Sequence, residues 1–131
     1  MKKIIHTKGK RKQAIARATL IPGKGKIKIN GQYLQNFSTN YLRLRIAEPL
    51  TLAGETARNV DIDVNVIGGG VGGQADAIRL AIARALVEFE PNLKNTFTEY
   101  DRLLLVADVR RKEVCKPNDS KARAKRQKSY R

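Results

Sequence analysis

Residues 60–89 read VDIDVNVIGGGVGGQADAIRLAIARALVEF, and they carry the two clearest periodicities of the chain. Val60, Ile62, Val64 and Val66 alternate with Asp61, Asp63 and Asn65, the pattern of a strand with one apolar face. After the glycine run Gly68–Gly73, Ala75, Ile78, Ile82, Ala85, Leu86 and Phe89 recur at three- and four-residue spacing, one apolar stripe of a helix. A strand passing through glycines into an amphipathic helix predicts an α/β domain, in the two-layer sense of helices against a sheet.

Upstream, residues 13–21 and 26–29 alternate as well, with Ile15, Leu20, Ile27 and Ile29 set against Arg17, Lys26 and Lys28. Pro22-Gly23-Lys24-Gly25 is a turn signal between them, so the pair is predicted to form a hairpin. Asn30-Gly31 accepts the positive φ angles of a second tight turn, with a short edge expected at Tyr33 and Leu34. From Ser38 to Ala53 a capped helical segment is predicted, with Ser38 or Thr39 as cap. Pro49 should divide it into two short helices ended by Gly54.

Downstream, Pro91-Asn92 stops the long helix, 93–100 reads as another short helix, and LLLVA at 103–107 reads as a buried strand. Beyond Val109 apolar side chains are too sparse to offset the entropy of ordering the segment. A globular domain over 1–109 and a basic extended tail over 110–131 are therefore expected.

The charge is positional. Of 131 residues, 27 are Lys or Arg and 12 are Asp or Glu, a net charge of +15. Residues 1–28 carry +10 and residues 110–131 carry +8, while the body between them carries −3. Such ends predict phosphate-neutralising surfaces and a polyanionic partner. Lys8, Lys10, Arg11, Lys12, Arg17, Lys24 and Lys26 form the first cluster, with no carboxylate before Glu48. No apolar run approaches a membrane span, and no signal peptide is expected. A lone Cys115 and a single His6 fit a reducing interior and leave too few soft ligands for zinc.

Gly68, Gly70 and Gly73 satisfy G-x-G-x-x-G, but the acidic residue that a dinucleotide site needs at the end of a second strand is missing, since Glu88 and Glu90 end the helix itself. A phosphate loop would need Lys followed by Ser or Thr where Gln74-Ala75 stands. Two readings remain open: the loop, through Gly69 and Gly70, receives an RNA phosphate at the helix start, or it simply turns the chain. No catalytic constellation is evident, since Asp61 and Asp63 lie on one strand face without a partner set. No cofactor or metal is expected.

GKRK (9–12), GKG (23–25), ING (29–31), EPL (48–50), DIDVNVIGGGVGGQADAIRLAIARAL (61–86), YDRLLLVADVRRKE (100–113) and KARAKRQKSYR (121–131) together closely resemble the S-nine family of small ribosomal subunit proteins. The ending QKSYR resembles the archaeal and eukaryotic branch, and the short, simple chain an archaeal source. The resemblance implies a fold like the second domain of ribosomal protein five: a four-stranded sheet, helices on one face and a left-handed βαβ crossover. It implies a cytoplasmic place in the head of the small subunit, beside neighbouring head proteins, on the 3′ major domain of the ribosomal RNA. Arg110, Arg111, Lys121, Arg123, Lys125 and Arg126 join the first cluster as expected ribosomal RNA contacts. Lys128, Ser129, Tyr130 and Arg131 match the tail end that reaches tRNA at the peptidyl site, with Arg131 at the anticodon-stem backbone. Val114 to Ser120 departs from the glycine-rich stretch of many relatives, so no contacts are carried over there.

Overall fold

The computed structural model describes residues 4–37, 39–118 and 122–123. Its frame is a five-stranded sheet in the order β1-β2-β5-β3-β4. The strands are β1 (Ile5–Arg11), β2 (Ala14–Pro22), β3 (Ile27–Ile29), β4 (Gln32–Tyr33) and β5 (Val60–Ile67). The helices are α1 (Asn40–Ala53), α2 (Glu55–Arg58), α3 (Val71–Phe89) and α4 (Leu93–Tyr100), with 3-10 turns at Leu34–Asn36 and Arg102–Leu104.

The alternation that marks β5 as a strand also sets its register. Val60, Ile62, Val64 and Val66 are buried, and Ala16, Ala18, Leu20 of β2 and Ile27, Ile29 of β3 lie beside them on the same face. On that face α3 packs across β1, β2 and β5, and α1 packs against α3. The opposite face carries exposed Lys8, Arg17, Asp63, Asn65 and Ile67, so among the described residues helices cover one side only.

Close approach of α3 explains the composition of this core. Ala14, Ala16 and Ala18 of β2 meet a helix whose own buried positions include Ala75, Ala77, Ala81 and Ala85. Under α3 lies Gly9 of β1, where a Cβ would sit 2.1 Å from the Ala77 carbonyl oxygen and 2.7 Å from the Ala81 nitrogen. Two residues earlier the Thr7 hydroxyl donates to the Ala81 carbonyl at 2.8 Å, fastening strand to helix.

Several sequence expectations change. β1 is a full seven-residue strand that alternation did not mark, because Thr7, Gly9 and Arg11 hold its inward positions. The expected hairpin of 13–21 with 26–29 does not form: β5 lies between β2 and β3, antiparallel to the first and parallel to the second. Sequence proximity lost to the longer, more apolar partner. The sheet has five strands where the resemblance implies four, since the Asn30-Gly31 turn, with φ of 51° and 83°, folds Gln32–Tyr33 back onto β3 as a two-residue edge.

Pro49 does not divide α1, which runs unbroken for 14 residues. A proline forfeits one helix hydrogen bond, and here its ring is buried in the core. Thr39 supplies the cap, its hydroxyl accepting from the Leu42 amide at 3.4 Å; the alternative cap, Ser38, lies outside the described residues. LLLVA is not a strand either. Leu104 is buried alone, and the 3-10 turn is fixed by the Asp101 carboxylate accepting from the Leu103 amide. α3 begins at Val71, before the first apolar position of its stripe, because glycines carry no apolar signal.

Candidate nucleic-acid interface

Where β5 ends and α3 begins, the chain turns through Gly68 and Gly69 at φ of 77° and 66°. A Cβ at Gly68 would lie 2.5 Å from the Gln13 carbonyl oxygen, and one at Gly69 would lie 3.0 Å from the Ala14 nitrogen. These two glycines are demanded by the fold itself. The Gln74 side chain pins the turn by donating to the Gly68 carbonyl at 3.0 Å.

Gly70 and Gly72 differ. Neither has a positive φ, and among the described residues a Cβ at either would meet nothing within 4 Å beyond the adjoining chain and the helix's own backbone. Among the described residues neither packing nor backbone conformation requires glycine there. Gly70 is the N-cap of α3 and no side chain caps the helix, so the amides of Val71, Gly72 and Gly73 have no intrahelical acceptor. Uncapped amides at the positive end of a 19-residue helix have the chemistry to receive an anion.

Basic side chains from distant parts of the chain surround this helix end. A cleft of about 480 Å³ is lined by Arg11, Lys12 and Gln13 from the β1–β2 turn, by Gly69, Gly70 and Gly73, and by Arg111 and Lys112. The last two arrive because the segment after α4 returns to the β1 edge and is tied there. Arg84 of α3 donates through Nε to the Leu105 carbonyl at 3.1 Å and through Nη1 to the Lys8 carbonyl at 2.9 Å. Arg11 donates through Nη1 to the Arg110 carbonyl at 3.0 Å and pairs with Asp108 at 3.5 Å and Asp76 at 3.8 Å. Asp76 also binds Arg45 of α1.

Deeper in, Arg79 of α3 is buried, its guanidinium 2.6 Å from Glu48 of α1 and 3.1 Å from Asp101 at the start of the returning segment. Sequence reading missed it. The signal was present, since Arg79 stands four residues after Ala75 and three before Ile82, on the buried stripe, where a charge demands partners. Arg110 forks onto Asp108 and, with Arg11 nearby, holds that carboxyl well below the usual carboxylate range.

The expected contact residues therefore separate. Arg11, Lys12, Gly69, Gly70 and Arg111 converge on the cleft, although Arg11 spends its guanidinium on Asp108, Asp76 and the tail root. Lys8, Lys10 and Arg17 lie on the outward sheet face. Lys24 and Lys26 lie at the opposite end of the nine-residue β2, about 25 Å away at the usual rise per strand residue. Arg110 and Arg123 are exposed and forked onto Asp108 and Glu113. Lys121, Lys125, Arg126, Lys128, Ser129, Tyr130 and Arg131 lie outside the described residues. Gln13 and Lys112 join the cleft without having been singled out in the sequence.

At the Lys24–Lys26 end, one Asp61 carboxylate oxygen accepts the amides of Lys24, Gly25 and Lys26 at 2.9, 3.1 and 2.9 Å. The Lys26 and Lys24 amides lower its pKa. A depressed folded pKa contributes stability above the unfolded value of about 4, lost as pH falls through the folded value. Asp61→Ala is therefore expected to flatten the acid limb of the stability profile below about pH 4. Melting curves across that range check it; an unchanged limb would remove Asp61 from the acid response.

Among the described residues no helix is long and apolar enough to cross a membrane, and no group of three or more His, Cys, Asp or Glu could hold a metal ion. Comparison with known proteins gives a concordant picture. The family model described as Ribosomal protein S9/S16 matches residues 9–131. The protein named Small ribosomal subunit protein uS9 of Methanococcus maripaludis strain S2 is 50% identical over 133 residues, covering 98% of this chain and 99% of its own. Its counterpart in Methanococcus vannielii is 49% identical with the same coverage.

Proposed function

The chain belongs to the ribosomal protein S9/S16 family, and from that premise we propose that it is a structural component of the small ribosomal subunit that binds ribosomal RNA through the α3 amino terminus. It is not an enzyme. Its place is the cytoplasmic ribosome, and its relatives are archaeal. The observation that carries the site is Gly70, which lines the cleft with Lys12, Arg111 and Lys112, and Gly72 in the first helical turn, two glycines that no contact among the described residues requires. Bare amides receive one phosphate, and the cations neutralise its neighbours.

Around this centre the reading extends to finer expectations. The body through residue 109 binds the 3′ major domain of the RNA in the head, beside neighbouring head proteins. Lys8, Lys10, Arg17, Lys24, Lys26, Arg110, Lys121, Arg123, Lys125 and Arg126 add phosphate contacts. The tail from residue 110 carries Lys128, Ser129, Tyr130 and Arg131 to the anticodon stem of peptidyl-site tRNA. The parallel step from β3 to β5 through α1 is taken as the left-handed crossover of the second domain of ribosomal protein five.

Gly72→Ala separates a binding role from a structural one. Inside the first turn of a helix, alanine is favoured over glycine by up to about 1 kcal/mol, so the melting temperature should hold or rise. RNA affinity should fall several-fold, because a methyl group now stands among the amides. Filter binding to a small-subunit ribosomal RNA transcript measures it; full affinity in a stable variant would move the phosphate site elsewhere.

A further inference from the structure

The segment that returns from α4 to the β1 edge is held unevenly along its length. Its first part is seated by apolar side chains: Leu104 is buried in the core and Leu105 packs against it. Beyond them the apolar hold ends, since Val106 and Val109 are 40% and 86% exposed and residues 109–112 all lie at the surface. Nor is the path fastened by main chain. β1 is an edge strand, yet among the described residues no backbone amide or carbonyl of 107–112 pairs with a backbone partner.

What holds 106–112 in place is a short series of side-chain ties. Arg84 does part of what a neighbouring strand would do, its planar fork joining the Leu105 carbonyl to the Lys8 carbonyl of β1. Arg11 takes the far end, reaching the Arg110 carbonyl and the Asp108 carboxylate. The Arg11 and Asp108 side chains are 14% and 12% exposed, so salt screens this pair weakly. The Arg110 fork on the same carboxylate comes from an arginine open to solvent and adds little.

We propose that residues 106–112 form a latch, with Leu104 and Leu105 as its hinge and the Arg11–Asp108 pair as its catch, and that this latch leaves the β1 edge as a unit while the sheet and α3 stay folded. A segment with little buried apolar surface and no backbone ladder opens at a lower free energy than the body it lies on. Opening needs only the side-chain ties to part, and the freed backbone regains conformational entropy. Closed, the latch brings Arg111 and Lys112 to the start of α3; open, it withdraws both and leaves Arg11 and Lys12 there. One place on the body thus presents two different charges. The inference goes beyond the role proposed for the α3 cleft and stands whatever that cleft binds.

Nuclear magnetic relaxation dispersion on the isotope-labelled full-length protein tests it, because that measurement reads a minor state exchanging on the microsecond-to-millisecond scale. Asp108→Asn keeps the shape of the side chain and removes its charge. It should raise the minor population roughly tenfold, with exchange confined to 105–112 and the β1 edge they leave. Arg84→Lys keeps a charge but loses the fork that joins two carbonyls, and should shift the same residues in the same direction. Amides of β2 and β5 should give flat profiles in both variants, as parts of a body that stays folded. Silence in both variants would mean that the segment has one docked state, and the latch would be overturned. Exchange at one common rate across 105–112 and the whole sheet would overturn it equally, since the segment would then open only when the body unfolds.

Discussion

Gly9→Ala is expected to lower the melting temperature by about 10 °C or more, the largest effect of any single methyl group added to this body. The new Cβ would enter within 2.1 Å of one α3 backbone atom and 2.7 Å of another, and within 3.1 Å of the Ala81 side chain. Main chain cannot rotate away as a lysine tip does. Relief requires α3 to lift from β1, and lifting breaks the 2.8 Å bond from Thr7 to the Ala81 carbonyl. Overpacking of a dense core typically costs about 1–3 kcal/mol, more where backbone must move. We place this case at about 3 kcal/mol or above. For a domain of this size that corresponds to roughly 3–5 °C per kcal/mol. Thermal melts followed by circular dichroism decide it, with Gly72→Ala as the harmless methyl addition; a loss of under 3 °C would mean that helix and strand are less tightly seated.

Arg79→Ala should cost about 3 kcal/mol, for a different reason. Its side chain is 6% exposed, while those of Glu48 and Asp101 are 30% and 37% exposed. Removing the arginine leaves two carboxylates that reach water, which moderates the penalty, and a void where the aliphatic stem packed. Two segments lose their common tie to α3: α1 and the turn that begins at Asp101. Amide hydrogen exchange over 101–110 should accelerate well beyond the change elsewhere. Arg79→Met supplies the contrast, since it preserves most of the volume without the charge. Should Arg79→Met match the parent in stability, the ion pairs contribute nothing net and packing alone explains the alanine loss.

Legibility of the fold followed how tightly each segment packs. β5 and α3 announce themselves because their buried faces hold large aliphatic residues at regular spacing. β1 stayed hidden for the opposite reason. Where α3 comes nearest, the inward positions must be small or bonded to the helix, so Thr7 and Gly9 replaced the aliphatic residues that mark a strand. The pairing of β2 with β5 rather than β3 is a long-range preference, and a turn signal at Pro22-Gly23 speaks only for the local bend. LLLVA misled because an apolar run says nothing of who takes its backbone bonds; Arg84, 21 residues earlier, takes the Leu105 carbonyl.

The cleft was half legible. Gly69, Gly70, Arg11 and Lys12 could be named from charge and glycine content and Arg111 from the family resemblance, yet their convergence depends on two arginines that bond to backbone. Nor does a glycine run reveal which of its members serve the turn. That separation, Gly68 and Gly69 from Gly70 and Gly72, needs the neighbouring atoms.

The bond from Arg11 to the Arg110 carbonyl also fixes a length. Residue 131 is joined to that anchor by 21 residues, which at full extension span no more than about 75 Å. Chain connectivity alone therefore keeps the last residue inside a sphere of that radius around one point on the body. A binding site for the last residues inside that sphere meets them at a high effective concentration, and contacts too weak to persist alone can hold. Loosening the anchor by a few residues would enlarge the sphere and dilute its contents, without altering a single atom at the far end.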